Sequence, residues 1–199
     1  MRIVKKKFYE RDPALVAKEL LGKLLVRKIG KLRLSGMIVE TEAYYGQEDP
    51  ASRAYKGKNK ISELMFEDPG KALIYMVHAN WLLNITCLPR GTPGAVLIRA
   101  IEPIEGIEIM MKNRRVKRIE DLTNGPGKLT KALVIDRSLH GAPVYEENSP
   151  LNVYCFKVID EKSIGRSFRI GVSKDLDIPL RFYIKNNKFV SKNRKTKKK

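Results

Sequence analysis

The chain is short of the side chains that most often carry metal, thiol or nucleophilic chemistry: its 199 residues include two cysteines, two histidines and one tryptophan. Cys87 and Cys155 stand far apart in the apolar contexts LLNITCL and NVYCFKV, which reads as two buried thiols and not as a zinc pattern. His78 falls at a predicted hairpin tip and His140 in an LHGAP turn. Neither neighbours a serine in a nucleophile elbow, and with the cysteines they build no ligand set. An enzyme of this composition is expected to work without metal. GPGKLT lacks the upstream glycine of a phosphate loop and has Leu129 where that loop needs Ser or Thr. No apolar run approaches the roughly 18 to 20 residues of a membrane span, and MRIVKKKFYERDP has neither the apolar centre nor the cleavage site of a secretory signal. A membrane partner is not expected, and the implied location is the cytosol, at the nucleoid of a prokaryote. Glutamine occurs once, at Gln47, beside abundant Lys and Glu, which leans towards a thermophilic source.

Positive charge is abundant instead. Forty Lys and Arg against 22 Asp and Glu give a formal net charge of +18, the excess that a phosphate backbone rewards through counterion release. Nucleic acid is the first partner to consider, although ribosomal, membrane-surface and other basic proteins share the feature. With 43% hydrophobic residues the chain is globular and of a size for one domain. Against this background VETEAYYGQEDPASRAY gathers Glu40, Glu42, Glu48 and Asp49 beside three tyrosines.

Punctuation along the chain predicts the elements around that cluster. Asp12-Pro13 before ALVAKELLGK reads as an N-cap, a first-turn proline and an apolar stripe ended by Gly22. KLLVRKI and LRLSGMIVET form a hairpin about Gly30-Lys31, with Glu40 and Glu42 on one face, Ile38 beside them and Thr41 opposite. The stretch 46–60 reads as an exposed loop before a short helix, ISELMF, capped by Asn59. ALIYMVHANWLLNITCL is a second hairpin with its tip at His78-Ala79-Asn80. GAVLIRAIEP is a strand ending at its proline and presenting Arg99, and EPIEGIEIMMKNRR is a helix whose tail, KNRRVKR, has five cations in seven residues. NGPGKLTKAL starts a helix that could set backbone N–H groups and Lys128 against a phosphate, or serve only as a loop-to-helix joint. NVYCFKVI, SFRIGV and PLRFYI are short strands, and 191–199, with six cations in nine residues, is expected to be a disordered basic tail after a domain spanning 1–190.

Carboxylate chemistry survives the exclusions. A glutamate at a strand end, walled by tyrosines and facing an arginine from a neighbouring strand, can hold a water as general base, because the arginine keeps it ionised. Such a base suits hydrolysis through an oxocarbenium-like sugar.

IVETEAYYGQEDPAS, LIRAIEPIEG, NGPGKLTKAL and PLRFYI, in this order, resemble the alkyladenine DNA glycosylase family, the 3-methyladenine DNA glycosylases of the animal type. The resemblance runs from about 14 to 191 and implies a single α/β (α+β) domain with a curved, mainly antiparallel sheet, flanking helices and a DNA-inserting hairpin. It implies a monofunctional enzyme without cofactor, a monomer by default. Such an enzyme flips alkylated or deaminated purines, hypoxanthine among them, out of double-stranded DNA and hydrolyses the N-glycosidic bond, leaving an abasic site for base excision repair. By position, Glu42 matches the water-activating base, while Arg99 and the backbone carbonyl of Ile170 match its partners in holding that water. Tyr44 and Tyr75 match the walls that stack on the base, and Asn84 the residue opposing the amine of normal guanine. Glu40 takes no catalytic part and reads as structural.

Two departures stand out. Arg53 replaces the histidine expected to touch the base; it donates but cannot accept, and a second cation opposes a cationic base. At the hairpin tip His78 replaces a tyrosine, and the segment to Asn84 is one residue short, leaving His78 or Asn80 to fill the gap in the duplex; Trp81 reads as core. The alternative is a noncatalytic nucleic-acid-binding protein on the same scaffold.

Overall fold

The computed structural model describes residues 1–191. Its first helix, α1 (Pro13–Leu20), begins where the sequence demands. The Asp12 carboxylate accepts from the N–H groups of Ala14 (2.8 Å) and Leu15 (3.1 Å), and Pro13 fills a position whose N–H would be orphaned anyway. Val16, Ala17 and Leu20 turn into the core. Gly22, at φ +81°, ends the turn where a side chain would collide with the Lys157 carbonyl.

Eight strands follow: β1 (Leu24–Ile29), β2 (Leu32–Tyr44), β3 (Ala72–Val77), β4 (Asn80–Cys87), β5 (Gly94–Glu105), β6 (Leu151–Tyr154), β7 (Ile164–Ser167) and β8 (Arg181–Ile184). The sheet runs β3-β4-β5-β2-β1-β6, antiparallel throughout, and curls into a half-barrel. β2 is its backbone and its fork. Along one edge its first half pairs with β1 and its second half, from Glu40 to Glu42, pairs with β8, which carries β7 outside it. The other helices, α2 (Ile107–Arg114) and α3 (Pro126–Ala132), pack with α1 around one main core that includes Leu20, Ile38, Leu83, Ile98, Met110 and Leu129. The molecule is therefore the single α/β domain that the sequence implied.

The fork depends on two bulges at the same level. Between Ile38 and Glu40 the register of β2 against β5 slips past Val39, and between Ala100 and Ile98 it slips past Arg99. Each extra residue leaves two successive side chains on one face, so the alternation changes phase. Ile38 faces the main core while Val39 joins a cluster on the opposite face with Met37 and Ala100. Ile38 accordingly does not stand beside Glu40 and Glu42, as strict alternation predicted. Thr41 does lie opposite them, donating to the Ala17 carbonyl at 2.8 Å.

Further expectations need correction. β5 does not stop at Pro103: it continues to Glu105, with Pro103 opposite Gly36 and Glu105 opposite Ser35 around a bulge at Ile104. The helix after it therefore starts at Ile107. ISELMF forms only a 3₁₀ turn over Glu63–Phe66, with Asn59 bonding the N–H groups of Ile61 and Ser62 one turn earlier. The loop 46–60 is pinned inward at buried Asp49, Ser52 and Ala54. Finally, the strands read in NVYCFKVI and SFRIGV close early, at Tyr154 and Ser167. Ser191, expected to open the basic tail, is bonded to Glu40 at 2.7 Å; the remainder of that predicted tail, 192–199, lies outside the described residues.

Candidate active site

Register places the site. Across the sheet, Asn84 on β4 pairs with Leu97 on β5, Leu97 with Glu42 on β2, and Glu42 with Arg181 on β8. Leu97 of this row forms the floor of a cavity of about 700 Å³, whose walls come from four other segments. One wall is the β3–β4 hairpin, with Tyr75, Val77, His78, Asn80 and Leu82. Another is the loop 50–53 with Arg53, and the third combines the start of α3 (Gly125 to Lys128) with the 170–173 turn. Tyr44, Leu97 and Arg99 rise from the sheet itself.

Glu42 lies just behind this floor, fully buried. Its Oε1 accepts the Ile170 N–H at 2.7 Å, its Oε2 accepts the Tyr44 hydroxyl at 2.8 Å, and Arg99 Nη1 is 3.2 Å from Oε2. All three partners line the cavity. An ionised carboxylate offers roughly four acceptor positions, so the three donors present leave it acceptor capacity. Burial, followed by the Glu42 charge and hydrogen bond, pushes the Tyr44 hydroxyl far up, and it stays protonated and donating. Burial works against the Arg99 guanidinium, yet Glu42 and Glu40 outweigh it and hold the group above its ordinary value. The backbone group of Ile170 that meets Glu42 is its amide.

Arg99 reaches between two acids because the bulge aims it there: its Nε also donates to Glu40 Oε1 at 2.9 Å. Tyr44 is buttressed by a residue the sequence reading missed. The Arg169 guanidinium lies 4.5 Å from the Tyr44 ring centroid and is locked by Asp49 (2.6 Å), Asp175 (2.5 Å) and the Ala43 carbonyl (3.0 Å). Burial opposes that charge, but the hydrogen bonds Arg169 donates to Asp49 and Asp175 hold its pKa above the ordinary value. Nothing near Arg169 in the sequence signals a partner 120 residues away. Its position in the RIGV motif was the one available clue.

On the facing wall Arg53 lies 4.9 Å from the Tyr75 ring centroid. Burial raises the Tyr75 hydroxyl, while the charge and hydrogen bond of Arg53 and a hydrogen bond from Asn84 limit the rise. Asn84 does not line the cavity. It is buried behind Tyr75 and donates to the Leu73 carbonyl at 3.3 Å. His78 and Ala79 form the hairpin tip, both in the left-handed region (φ +45° and +58°), with Asn80 Nδ2 donating to the His78 carbonyl at 2.8 Å. Trp81 packs against the main core. The tip abuts α3 so closely that a Cβ on Gly127 would lie 2.7 Å from Asn80. Lys128, at the cavity rim, donates to Asn124 Oδ1 at 2.6 Å. Among the described residues no group of three or more His, Cys, Asp or Glu could hold a metal ion, and no helix is long and apolar enough to cross a membrane.

Comparison with known proteins places this architecture. Residues 7–188 match the sequence model of the methylpurine-DNA glycosylase (MPG) family. A protein of Aeropyrum pernix is 44% identical over 194 residues, covering 97% of this chain and 95% of its own length. Relatives from Chlorobium phaeobacteroides (41% over 196 residues; 98% and 99% covered) and Carboxydothermus hydrogenoformans (42% over 191; 96% and 99%) are similar end to end. All three bear the name "Putative 3-methyladenine DNA glycosylase".

Proposed function

Because the chain belongs to the methylpurine-DNA glycosylase family, and so to the hydrolases of DNA repair that cleave N-glycosidic bonds, we propose that it flips alkylated or deaminated purines out of duplex DNA and releases them with a water activated by Glu42. The observation that carries this reading is the buried Glu42 carboxylate, tied to three groups that all line the one cavity framed by the sheet floor, the hairpin and α3.

The flipped purine enters between Tyr44 and Tyr75, whose faces attract an electron-poor ring. Water at the floor is oriented by Glu42 and Arg99, with the Ile170 carbonyl as a further acceptor. As the bond from the base nitrogen to C1′ breaks, its electron pair leaves with the purine and positive charge grows on the sugar. Water then adds to C1′ and gives its proton to Glu42. An alkylated, cationic purine departs neutral; hypoxanthine departs as an anion that takes a proton from solvent water. No metal or cofactor enters the sequence. His78 or Asn80 at the hairpin tip occupies the space the nucleotide leaves, and Lys128 with the exposed cations of 112–118 meets the phosphates. The product is an abasic site, the enzyme acts as a monomer, and the absence of long apolar helices among the described residues suits a place with the DNA in the cytosol.

The test is a panel of duplexes carrying hypoxanthine, ethenoadenine, 3-methyladenine or 7-methylguanine. Strand cleavage at the lesion after alkali is expected for the wild type. Glu42→Gln should lower the single-turnover rate on the order of a thousandfold while duplex affinity holds. Tight duplex binding with no lesion released would turn the assignment over to a noncatalytic binding protein.

A further inference from the structure

The acid behind the acid is built more heavily than a structural filler needs. Glu40 is fully buried. Its Oε1 takes Arg99 Nε at 2.9 Å, Arg181 Nε at 2.7 Å and the Ser191 hydroxyl at 2.7 Å, and its Oε2 takes the Ser191 amide at 2.7 Å. Two of these donors come from one residue at the end of the described chain, 151 positions from Glu40. Ser191 also accepts, through its carbonyl, from Arg181 Nη2 at 3.5 Å.

The segment that delivers Ser191 is held at several points. After β8 the chain turns at Asn186 (φ +60°), and Asn187 donates to Glu102 at 2.7 Å and accepts the Phe189 N–H at 2.9 Å. Phe189 and Val190 then pack on Met37, Val39 and Ala100, the cluster created by the two bulges. The result is a strap across the fork of the sheet, ending on Glu40. From there the contacts run in one line: strap to Glu40, Glu40 to Arg99, Arg99 to Glu42.

We propose that Glu40 and Ser191 are positioning residues for the glycosidic step, the strap fixing Glu40 so that Arg99 holds its terminal nitrogen at Glu42 and does not swing into the cavity. One guanidinium shared by two carboxylates has two resting places, and the occupancy of each depends on how firmly the second acid is held. With Glu40 clamped by Arg181 and Ser191, Arg99 keeps its Nε there and only its Nη1 is left for Glu42. A loosened Glu40 lets the guanidinium turn, and small misplacements of such a group cost heavily: about 1 Å costs roughly a hundredfold in rate.

This inference rests on Glu42 as the base, and its test has a readout that does not. Single-turnover excision is measured with enzyme saturating over a hypoxanthine duplex, beside duplex affinity, thermal unfolding and the ¹⁵N–¹H Nε resonance of Arg99, assigned through Arg99→Lys. Ser191→Ala, which keeps the amide but loses the hydroxyl, should slow excision roughly tenfold, leave affinity unchanged and shift the Arg99 resonance; Ser191→Thr should restore both. Glu40→Gln should slow excision further. Wild-type rate in Ser191→Ala, an unmoved Arg99 resonance, or a slow Ser191→Thr would each overturn the proposal. Should the wild type release no lesion at all, the role of Glu42 fails, while the Arg99 resonance still decides the clamp.

Discussion

Arg53 is the side chain through which this cavity differs most from a neutral aromatic slot. Its guanidinium sits over Tyr75 and, with Arg99 and Lys128, makes three of the lining groups positive. A purine that arrives already cationic meets these charges; one that arrives neutral with acceptor atoms at its edge meets donors. Across several ångströms, at an effective dielectric between protein and water, one such charge is worth on the order of 1 kcal/mol, or about fivefold in rate. Arg53→His, neutral above about pH 7, should therefore raise excision of 7-methylguanine relative to hypoxanthine by about that factor. The check is a single-turnover competition between the two lesions at pH 8; an unchanged ratio would remove Arg53 from selectivity. Tyr75 stands outside the four ordered motifs, but Glu42, Arg99 and Tyr44 were legible because those motifs carry them. Arg169, Arg181 and Ser191 were not, since their roles exist only through partners 120, 141 and 151 residues distant. Asn84 shows the converse: a legible motif led to the right neighbourhood but one layer too deep, because strand alternation says which face a residue takes and not what stands in front of it.

Among the elements, the paired bulges do what periodicity could not announce. A hydrophobic pattern marks GMIVETEAY as a strand, but the slip past Val39 depends on β5, which supplies its own extra residue at Arg99. One boundary missed in the sequence lies at a third bulge: β5 passes Pro103, opposite Gly36, and resumes its pairing at Glu105, opposite Ser35. The β3–β4 hairpin was readable in position and length. Its backbone was not, since two-residue hairpin turns with positive φ favour Asn-Gly or Asp-Gly and this tip is His78-Ala79. A non-glycine residue in the left-handed region costs roughly 1 to 2 kcal/mol. Ala79→Gly is accordingly expected to stabilise the protein by about 1 kcal/mol, or roughly 2 to 4 °C in Tm for a chain of this size, as scanning calorimetry would show. The same change should leave excision of an already flipped base untouched. A fall in Tm would mean that the Ala79 side chain is held by contacts that outweigh the backbone cost.

For the whole molecule, charge couples stability to pH and binding to salt. Burial is the largest influence on Glu40 and would raise its pKa, but Arg99, Arg181 and the Ser191 amide together bring it below the ordinary value. A group depressed in the folded state contributes stability above its unfolded pKa, about 4.3 for Glu, and loses it as pH falls through the folded value. Wild type should thus outlast Glu40→Gln in urea at pH 7, and the gap should close below pH 4. The net charge of +18 acts at longer range. KNRRVKR is only partly available for it, since Arg114 donates to the Leu122 and Asp121 carbonyls at 3.1 and 3.4 Å. The other concentrated source is 192–199, with six Lys and Arg directly after the residue that clamps Glu40. Each phosphate neutralised contributes about 0.9 to the slope of log affinity against log salt. If those six cations all engage phosphates, deleting 192–199 should make the slope shallower by up to about 5. Because Ser191 remains, the rate at saturating enzyme should not change. Duplex titrations between 50 and 200 mM salt, about the range over which such effects are largest, separate the two contributions. A deletion that slows chemistry at saturation would place part of the positioning beyond Ser191, and one that leaves the slope unaltered would assign the phosphate contacts to the folded domain alone.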